Sequence, residues 1–273
     1  MDMKDHILAP FLLGQRRDGL CRICEIDHRI WEVLALPDFK ETEIIEADEK
    51  IRRMGKIYSL LGESVMHSVM RGRVPMSIAG DCFSALGVLG GLQKAGKPPD
   101  RILWLDAHGD FHTWETTQTK YLGGMPLAVM AGRHSQRQDN PNSFAPFIDA
   151  LGIKPYPEEK IVLSDARDLD PGEIEALHAS QIVTCRIDEI FEHLPPNESL
   201  QLHFDTDVMD GEVEMPALKY HVKQGPTYFD MQALFRRLRS RNIVAISVSA
   251  WHPDQDADNK TATACLNLLR ELE

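Results

Sequence analysis

The stretch that most restricts what this chain can fold into runs from Arg101 to Leu127, RILWLDAHGDFHTWETTQTKYLGGMPL. Ile102 to Leu105 is a short unbroken apolar run, the pattern of a strand buried on both faces. Polarity then reverses at Asp106, His108 and Asp110, at alternate positions, with His112 continuing the series. A second stretch answers it: Gln201 to Phe204 leans apolar and ends in Asp205, Asp207 and Asp210. Buried strands that end in alternating acids and an imidazole make an oxygen- and nitrogen-rich pocket, the composition a divalent cation needs.

The rest of the chain alternates between the two periodicities. Strands are expected in His6–Leu13, Val33–Pro37, Val74–Ala79, Lys160–Leu163, Gln181–Thr184, Leu200–Phe204 and Ile243–Val248. Ile51, Met54, Ile57, Leu61, Val65 and Val69 keep helical spacing through about residues 47–71, which predicts a long amphipathic helix. Further helices are expected at Phe83–Ala95, Met125–Ala131, Asp230–Arg239 and Thr261–Leu272, and from Pro171, with Asp170 as N-cap. Residues 134–157 read as a polar surface loop with one helical turn, and 211–225 as a loop. Strands alternating with helices predict an α/β fold with a mostly parallel central sheet covered on both faces. Neither a dividing linker nor an internal repeat is visible, so residues 1–273 are expected to form a single domain.

Bulk properties narrow the function. The net charge of -12, from 30 basic and 42 acidic residues, argues against nonspecific binding to nucleic acid or an anionic membrane. No apolar run approaches the roughly 18–20 residues of a membrane span, and no basic segment followed by an apolar one marks a secretory signal. Five scattered cysteines suggest reduced thiols and a cytoplasmic setting. Cys21 and Cys24 form a C-x-x-C without a second pair nearby, so they read as incidental thiols.

In open α/β sheets, ligands collect outside the carboxyl ends of the strands. Four expected strand ends carry acids or a thiol: Asp81-Cys82, Asp106-x-His108-x-Asp110, Asp168-x-Asp170, and Asp205-x-Asp207 with Asp210. Separate caps and turns would account for Asp81 and Asp170 singly. They account poorly for two buried strands that both end in alternating acids, because so much unneutralised carboxylate would repel. Asp106, Asp110, Asp205, Asp207 and His108 exceed what one tetrahedral site uses. Two divalent ions roughly 3.5–4 Å apart, sharing carboxylates and holding a hydroxide, are therefore expected.

W-L-D-A-H-x-D followed by F-D-x-D-x-x-D resembles the signature pair of the ureohydrolases (arginase, agmatinase and formiminoglutamase), and Gly80-Asp81-Cys82-Phe83-Ser84 resembles their third signature, usually GDH-S. The resemblance runs in order from Val74 to the C-terminus. It implies a three-layer α/β/α sandwich and a binuclear manganese centre that hydrolyses amidino C–N bonds, in a homo-oligomer, trimer or hexamer. Carried over, Cys82, Asp106, Asp110 and Asp205 fall on the ligands of one metal, and His108, Asp106, Asp205 and Asp207 on those of the other. Asp170 falls on an acidic position that helps hold the substrate's amino group, and His112 on a substrate-contacting asparagine. The insert from Thr113 to Met125, with Glu115 and Thr119, is similar to an arginase-like branch of the family and adds substrate-contact candidates.

Three departures stand out. Cys82 replaces a ligand histidine; a thiolate binds divalent metals but opens the choice to zinc, iron or nickel as well as manganese. Gly123 stands where arginases carry a proton-transfer histidine, leaving His112, His221 or His252 as alternatives. Ala250 stands where the family has a glutamate that grips the guanidinium, leaving Glu115 or Asp254 to substitute. The expected function is hydrolysis of a small guanidino, hydroxyguanidino or amidino substrate by a metal-bridging hydroxide, with Asp110 and His112 as catalytic residues. The alternative is a catalytically impaired descendant that serves as a metal- or ligand-binding or assembly subunit. Metal-dependent phosphoester hydrolysis ranks last, since the aspartate loops offer almost no basic group to clamp a phosphate.

Overall fold

A computed structural model of the chain describes residues 3–40, 42–134, 143–210, 215–218, 220–249 and 251–273. Its strands are β1 (Lys4–Ala9), β2 (Phe11–Leu12), β3 (Gln15–Arg16), β4 (Trp31–Val33), β5 (Val74–Ala79), β6 (Arg101–Leu105), β7 (Ile161–Ser164), β8 (Val183–Cys185), β9 (Ser199–Asp205) and β10 (Asn242–Ser249). Its helices are α1 (Ile23–Ile26), α2 (Ala47–Met70), α3 (Ser84–Lys94), α4 (Pro126–Met130), α5 (Ala145–Leu151), α6 (Pro171–His178), α7 (Tyr228–Leu238) and α8 (Lys260–Arg270).

Eight strands form one sheet in the order β4-β1-β5-β10-β9-β6-β7-β8, and every neighbouring pair runs parallel. Because side chains alternate across a strand, each apolar run feeds two cores at once. Ile102 and Trp104 of β6 pack into one core with α2, α3, α4 and α5. Leu103 and Leu105 pack into the other, with α7 and α8. Ile161 and Leu163 of β7 face the first core while Val162 faces the second. The result is the three-layer α/β/α sandwich, and it explains why these strands read as continuous apolar runs.

The register brings the functional ends level. Leu105 pairs with Phe204, Phe204 with Val248, and Val248 with Ile78. Asp106, Asp205, Ser249 and the Gly80–Cys82 turn thus leave the sheet side by side at its carboxyl edge.

Three segments differ from expectation. The strand expected at Val33–Pro37 lies instead at Trp31–Val33, and residues 34–37 leave the sheet. The first apolar run breaks after Ala9, and residues 11–16 fold back as the β2–β3 hairpin. Leu13 and Gly14 turn it with φ of 46° and 82°, the left-handed pair that tight hairpins require. A leucine is held in that conformation because its N–H donates to the buried carboxylate of Asp81 at 2.6 Å. The segment after Phe144, expected as a loop with one turn, carries α5, whose Phe147 and Leu151 are buried in the first core. Residues 135–142 of that expected loop, and residues 211–214 and 219 of the other, lie outside the described residues. Cys21 and Cys24 are free thiols, half-buried and exposed respectively. Among the described residues, no helix is long and apolar enough to cross a membrane.

Helices α2 and α3 meet through glycines. A Cβ on Gly91 would stand 2.5 Å from the carbonyl oxygen of Gly62 and 2.6 Å from Cγ1 of Val65, closer than packed atoms tolerate. Gly91→Ala is expected to destabilise the fold by about 1–3 kcal/mol despite alanine's better helix propensity. The check is a lower urea midpoint at unchanged slope; an unchanged midpoint would show that the helices separate without cost.

Candidate metal centre and substrate pocket

A cavity of about 290 Å³ opens at the carboxyl edge of the sheet, a size suited to a small molecule. Cys82 reaches it from the turn after β5, Asp106, His108 and Asp110 from the loop after β6, and Asp205 and Asp207 from the end of β9.

Each aspartate motif folds locally as a turn. Asp106 Oδ1 accepts the N–H of His108 at 2.8 Å, and Asp205 Oδ1 accepts that of Asp207 at 2.8 Å. The local turn explanation therefore holds for one oxygen of each residue. The other oxygens belong to the pocket. Asp106 Oδ2 is steadied by the indole N–H of Trp104 at 3.1 Å, and Asp205 Oδ2 accepts from the Cys82 thiol at 2.9 Å. Nδ1 of His108 lies 3.1 Å from Asp207 Oδ2 and 3.4 Å from Asp106 Oδ1. Asp110 is held at φ 52°, a left-handed conformation, and its buried Oδ2 has no hydrogen-bond partner.

Electrostatically the cluster calls for positive charge. Burial, and then the neighbouring carboxylates, push Asp110 and Asp205 well above the ordinary carboxylate range and raise Asp207. Burial and then Asp205, Asp110 and Asp106 likewise raise the Cys82 thiol. Burial opposes charge on His108, but hydrogen bonds and attraction from Asp106 and Asp207 outweigh it and push the imidazole up to about 12. Burial also pushes Asp106 upward, and here too the bonds and charge of His108 win, leaving its pKa lowered. Among the described residues, two groups have donor atoms all within 4.8 Å of one another: Cys82, Asp106 and Asp205, and Asp106, His108 and Asp207. They share Asp106. Converging buried donors, unpartnered oxygen at Asp110 and a mixed O, N and S set fit divalent cations in two adjoining positions.

His112, Thr119 and Asp170 also line the cavity. Asp170 occupies the expected N-cap position of α6, yet its side chain makes no capping bond. Its Oδ2 lies 3.2 Å from Nε2 of His112, whose Nδ1 lies 3.1 Å from Thr116 Oγ1. Glu115 is not brought to the cavity: it is exposed in the Thr113–Thr117 turn, where its N–H donates to Thr113 Oγ1. Asp254 is exposed and absent from the lining, and Nε2 of His221 lies 2.9 Å from the Leu218 carbonyl oxygen, whereas His252 is on the wall. Ala250 lies outside the described residues. Asp210 is drawn away from the cluster, accepting the N–H of Gln224 at 3.1 Å.

Several wall residues escape sequence reasoning. A Cβ on Gly123 would stand 2.3 Å from Cε1 of Tyr121, so the Tyr121 ring occupies the space of a side chain at that position. Tyr121 packs edge-on to Tyr220, and Tyr220 edge-on to His108. Arg17 and Trp251 also line the cavity. Arg17 and Tyr220 are distant in sequence from the metal-ligand candidates they share the pocket with, and no local periodicity marks them.

With this geometry in view, the protein is an α/β/α sandwich with a site of the metallohydrolase kind at its carboxyl edge. The Arginase family model matches residues 23–273, and the chain belongs to the arginase family, within the ureohydrolase superfamily. It is similar to the arginase of Bacillus subtilis (strain 168), 26% identical over 292 residues, covering 96% of this chain and 95% of the relative. It is also similar to the arginase of Bacillus caldovelox, 27% identical over 295 residues, covering 97% and 95%. Among solved structures, the native arginase of Bacillus caldovelox matches with a TM-score of 0.79 at 24% identity, over 100% of this chain and 98% of that one. The Entamoeba histolytica arginase in complex with L-ornithine matches with a TM-score of 0.83 at 17% identity, over 100% and 99%, a likeness of fold alone.

Glu173 holds the loop that presents Asp110. Its buried Oε1 accepts the N–H of Phe111 at 2.8 Å, and it passes where Gly109 has no Cβ to block it. Glu173→Leu would orphan that amide and is expected to cost about 1–3 kcal/mol in thermal unfolding, whereas Glu173→Gln keeps an acceptor and should stay near wild type. Equal melting of the two variants would show that the bond does not hold the loop.

Proposed function

We propose that this protein is a binuclear metal-dependent hydrolase that cleaves a C–N bond of a small guanidino, hydroxyguanidino or amidino compound. The observation that carries the reading is the meeting of Cys82, Asp106, His108, Asp110, Asp205 and Asp207, from three strand ends, in one buried cluster whose two donor groups share Asp106. Cys82, Asp106, Asp110 and Asp205 would hold one ion, and His108, Asp106, Asp205 and Asp207 the other. Manganese is the metal of choice, with zinc, iron or nickel admitted by the sulfur ligand. When bound, the ions would supply an acidified water and stabilise charge that develops at the attacked carbon.

The remaining roles belong to side chains. Asp110 would take the proton of the attacking water, a role supported by its Oδ2 being buried and without a protein partner. Asp170 and His112, bonded to each other at the pocket wall, and Thr119 beside them would orient the polar end of the substrate. Trp104 fixes one oxygen of Asp106 and so holds the carboxylate common to both groups. We further read residues 1–273 as one domain, because a single sheet takes strands from Lys4 to Ser249, and the working protein as a cytoplasmic trimer or hexamer by analogy with its family.

Metal content per chain, on protein purified without chelators, tests this. Two ions per chain, with Asp106→Asn losing both, and release of urea or an amine from a panel of guanidino and hydroxyguanidino compounds would support the reading. One ion or none in wild type, rising to two in Cys82→His, would move the assignment to a non-hydrolytic role.

Protonation supplies a second check. In the metal-free chain the raised Cys82, Asp110, Asp205 and Asp207, and His108 pushed up to about 12, all favour bound protons. A cation must displace them, so binding should release protons and weaken as pH falls. Calorimetry in buffers of different ionisation enthalpy measures the release; a proton count of zero would contradict this account of the cluster.

A further inference from the structure

Strand β9 presents two unlike faces. Leu200, Leu202 and Phe204 pack into the second core. Gln201 and His203, on the other face, are polar, yet both are fully buried. They sit beneath Asp205, which leaves the same face of the strand two residues beyond His203. Gln201 serves the neighbouring helix α3, its amide donating to the carbonyl oxygen of Ala85 at 2.9 Å. His203 turns elsewhere.

Register sets His203 in a row with side chains of the adjacent strands. It pairs with Trp104 of β6 and with Ser247 of β10, and Ser247 pairs in turn with Ser77 of β5. The whole row is buried, two residues below the level of Asp106, Asp205 and Ser249. Nδ1 of His203 lies 2.9 Å from Ser247 Oγ, and its ring centroid lies 4.0 Å from that of Trp104, with the planes tilted by 43°. The indole N–H of Trp104 reaches Asp106 Oδ2 at 3.1 Å. The imidazole is thus tied by a hydroxyl on one side, and on the other it lies against the indole that meets the carboxylate shared by both donor groups.

Stability alone does not account for a histidine here. Its Nε2 is buried without a hydrogen bond, which is unfavourable, and a leucine would bury no orphan nitrogen. A flat ring tied by its own hydrogen bond does what a leucine cannot. It limits the tilt of the indole, and so the direction in which the indole N–H points. Groups that fix a ligating carboxylate from behind act on metal affinity through such orientation.

We propose that His203 is a positioning residue: held by Ser247, its ring keeps the Trp104 indole N–H on Asp106. The consequence for metal affinity rests on the reading of Asp106 as the ligand common to both ions; the orientation of the indole does not.

The test uses the full chain with His203→Leu and Ser247→Ala together, which removes both hydrogen-bonding partners at once. Beside it stand Trp104→Phe, the combination of all three changes, and Leu202→Val on the opposite face of β9 as a control. Two quantities are measured. One is hydrogen exchange of the Trp104 indole N–H by NMR on the metal-free chain, assigned by its loss in Trp104→Phe; the other is manganese affinity by titration calorimetry. Because both partners become apolar, the double variant should melt close to wild type. Its indole N–H should nonetheless exchange faster, and its manganese affinity should fall about tenfold. Added to Trp104→Phe, the two changes should weaken manganese no further, since they act through the same indole. Leu202→Val should lower the melting temperature and leave both quantities as in wild type. Faster exchange in a chain that binds no manganese would uphold the positioning and sink the metal reading. Unchanged exchange, or a loss of affinity that adds in full to that of Trp104→Phe, would overturn the proposal and leave the metal reading standing. Should the double variant not fold, Ser247→Ala alone must still quicken the exchange; if it does not, the proposal falls.

Discussion

Repulsion among four aspartates and a thiol, gathered at the carboxyl ends of β5, β6 and β9, is the constraint to which the rest of the site answers. No apolar packing can offset such a cluster, because the cost lies in removing charge from water. The chain meets it in two ways. One oxygen each of Asp106 and Asp205 is spent on the backbone N–H two residues on, which stiffens the loops and spreads the charge. Asp205 Oδ2, Asp207 Oδ2 and Asp110 Oδ2 are left to the cluster, where protons or divalent cations must supply the compensating charge. The all-parallel sheet makes this geometry available, since only parallel strands set several carboxyl ends level at one edge.

Much of this was legible in the sequence for a physical reason. A strand buried on both faces has no polar position until it leaves the sheet, so Ile102–Leu105 followed by Asp106 marks both the strand and its functional end. The same holds for β9 and Asp205. Long amphipathic α2 was equally plain, since its buried positions recur with the helical period. Less legible was whatever depends on pairs distant in sequence. Asp170 has the spacing of a cap and sits where a cap should, but its carboxylate turns to His112, fifty-eight positions away. Arg17 and Tyr121 look like surface residues of turn segments until the sheet order brings them to the cavity. Glu115, with no such constraint, stays in solvent.

The departures from the family pattern gain a structural reading. Gly123 carries no side chain because the Tyr121 ring lies over it, and Tyr121 leads through Tyr220 to His108. The space at that position is thus filled by an aromatic, hydroxyl-bearing side chain in place of an imidazole. Cys82 keeps a donor atom in the cluster while giving up the reach of histidine, and its thiol is already engaged with Asp205. Both changes alter the chemistry offered to a ligand without altering the frame that offers it.

Asp81 joins two parts of the molecule that function would treat separately. Its carboxylate fastens the hairpin through Leu13, and its own backbone leads directly into Cys82. The arm that carries Arg17 and the turn that carries the thiol therefore share one hinge pin. A change at this residue, whose carboxylate bonds the backbone N–H groups of Leu13 and Phe83, would disturb both ends of the pocket together. In a scan of single substitutions it would mimic two unrelated defects.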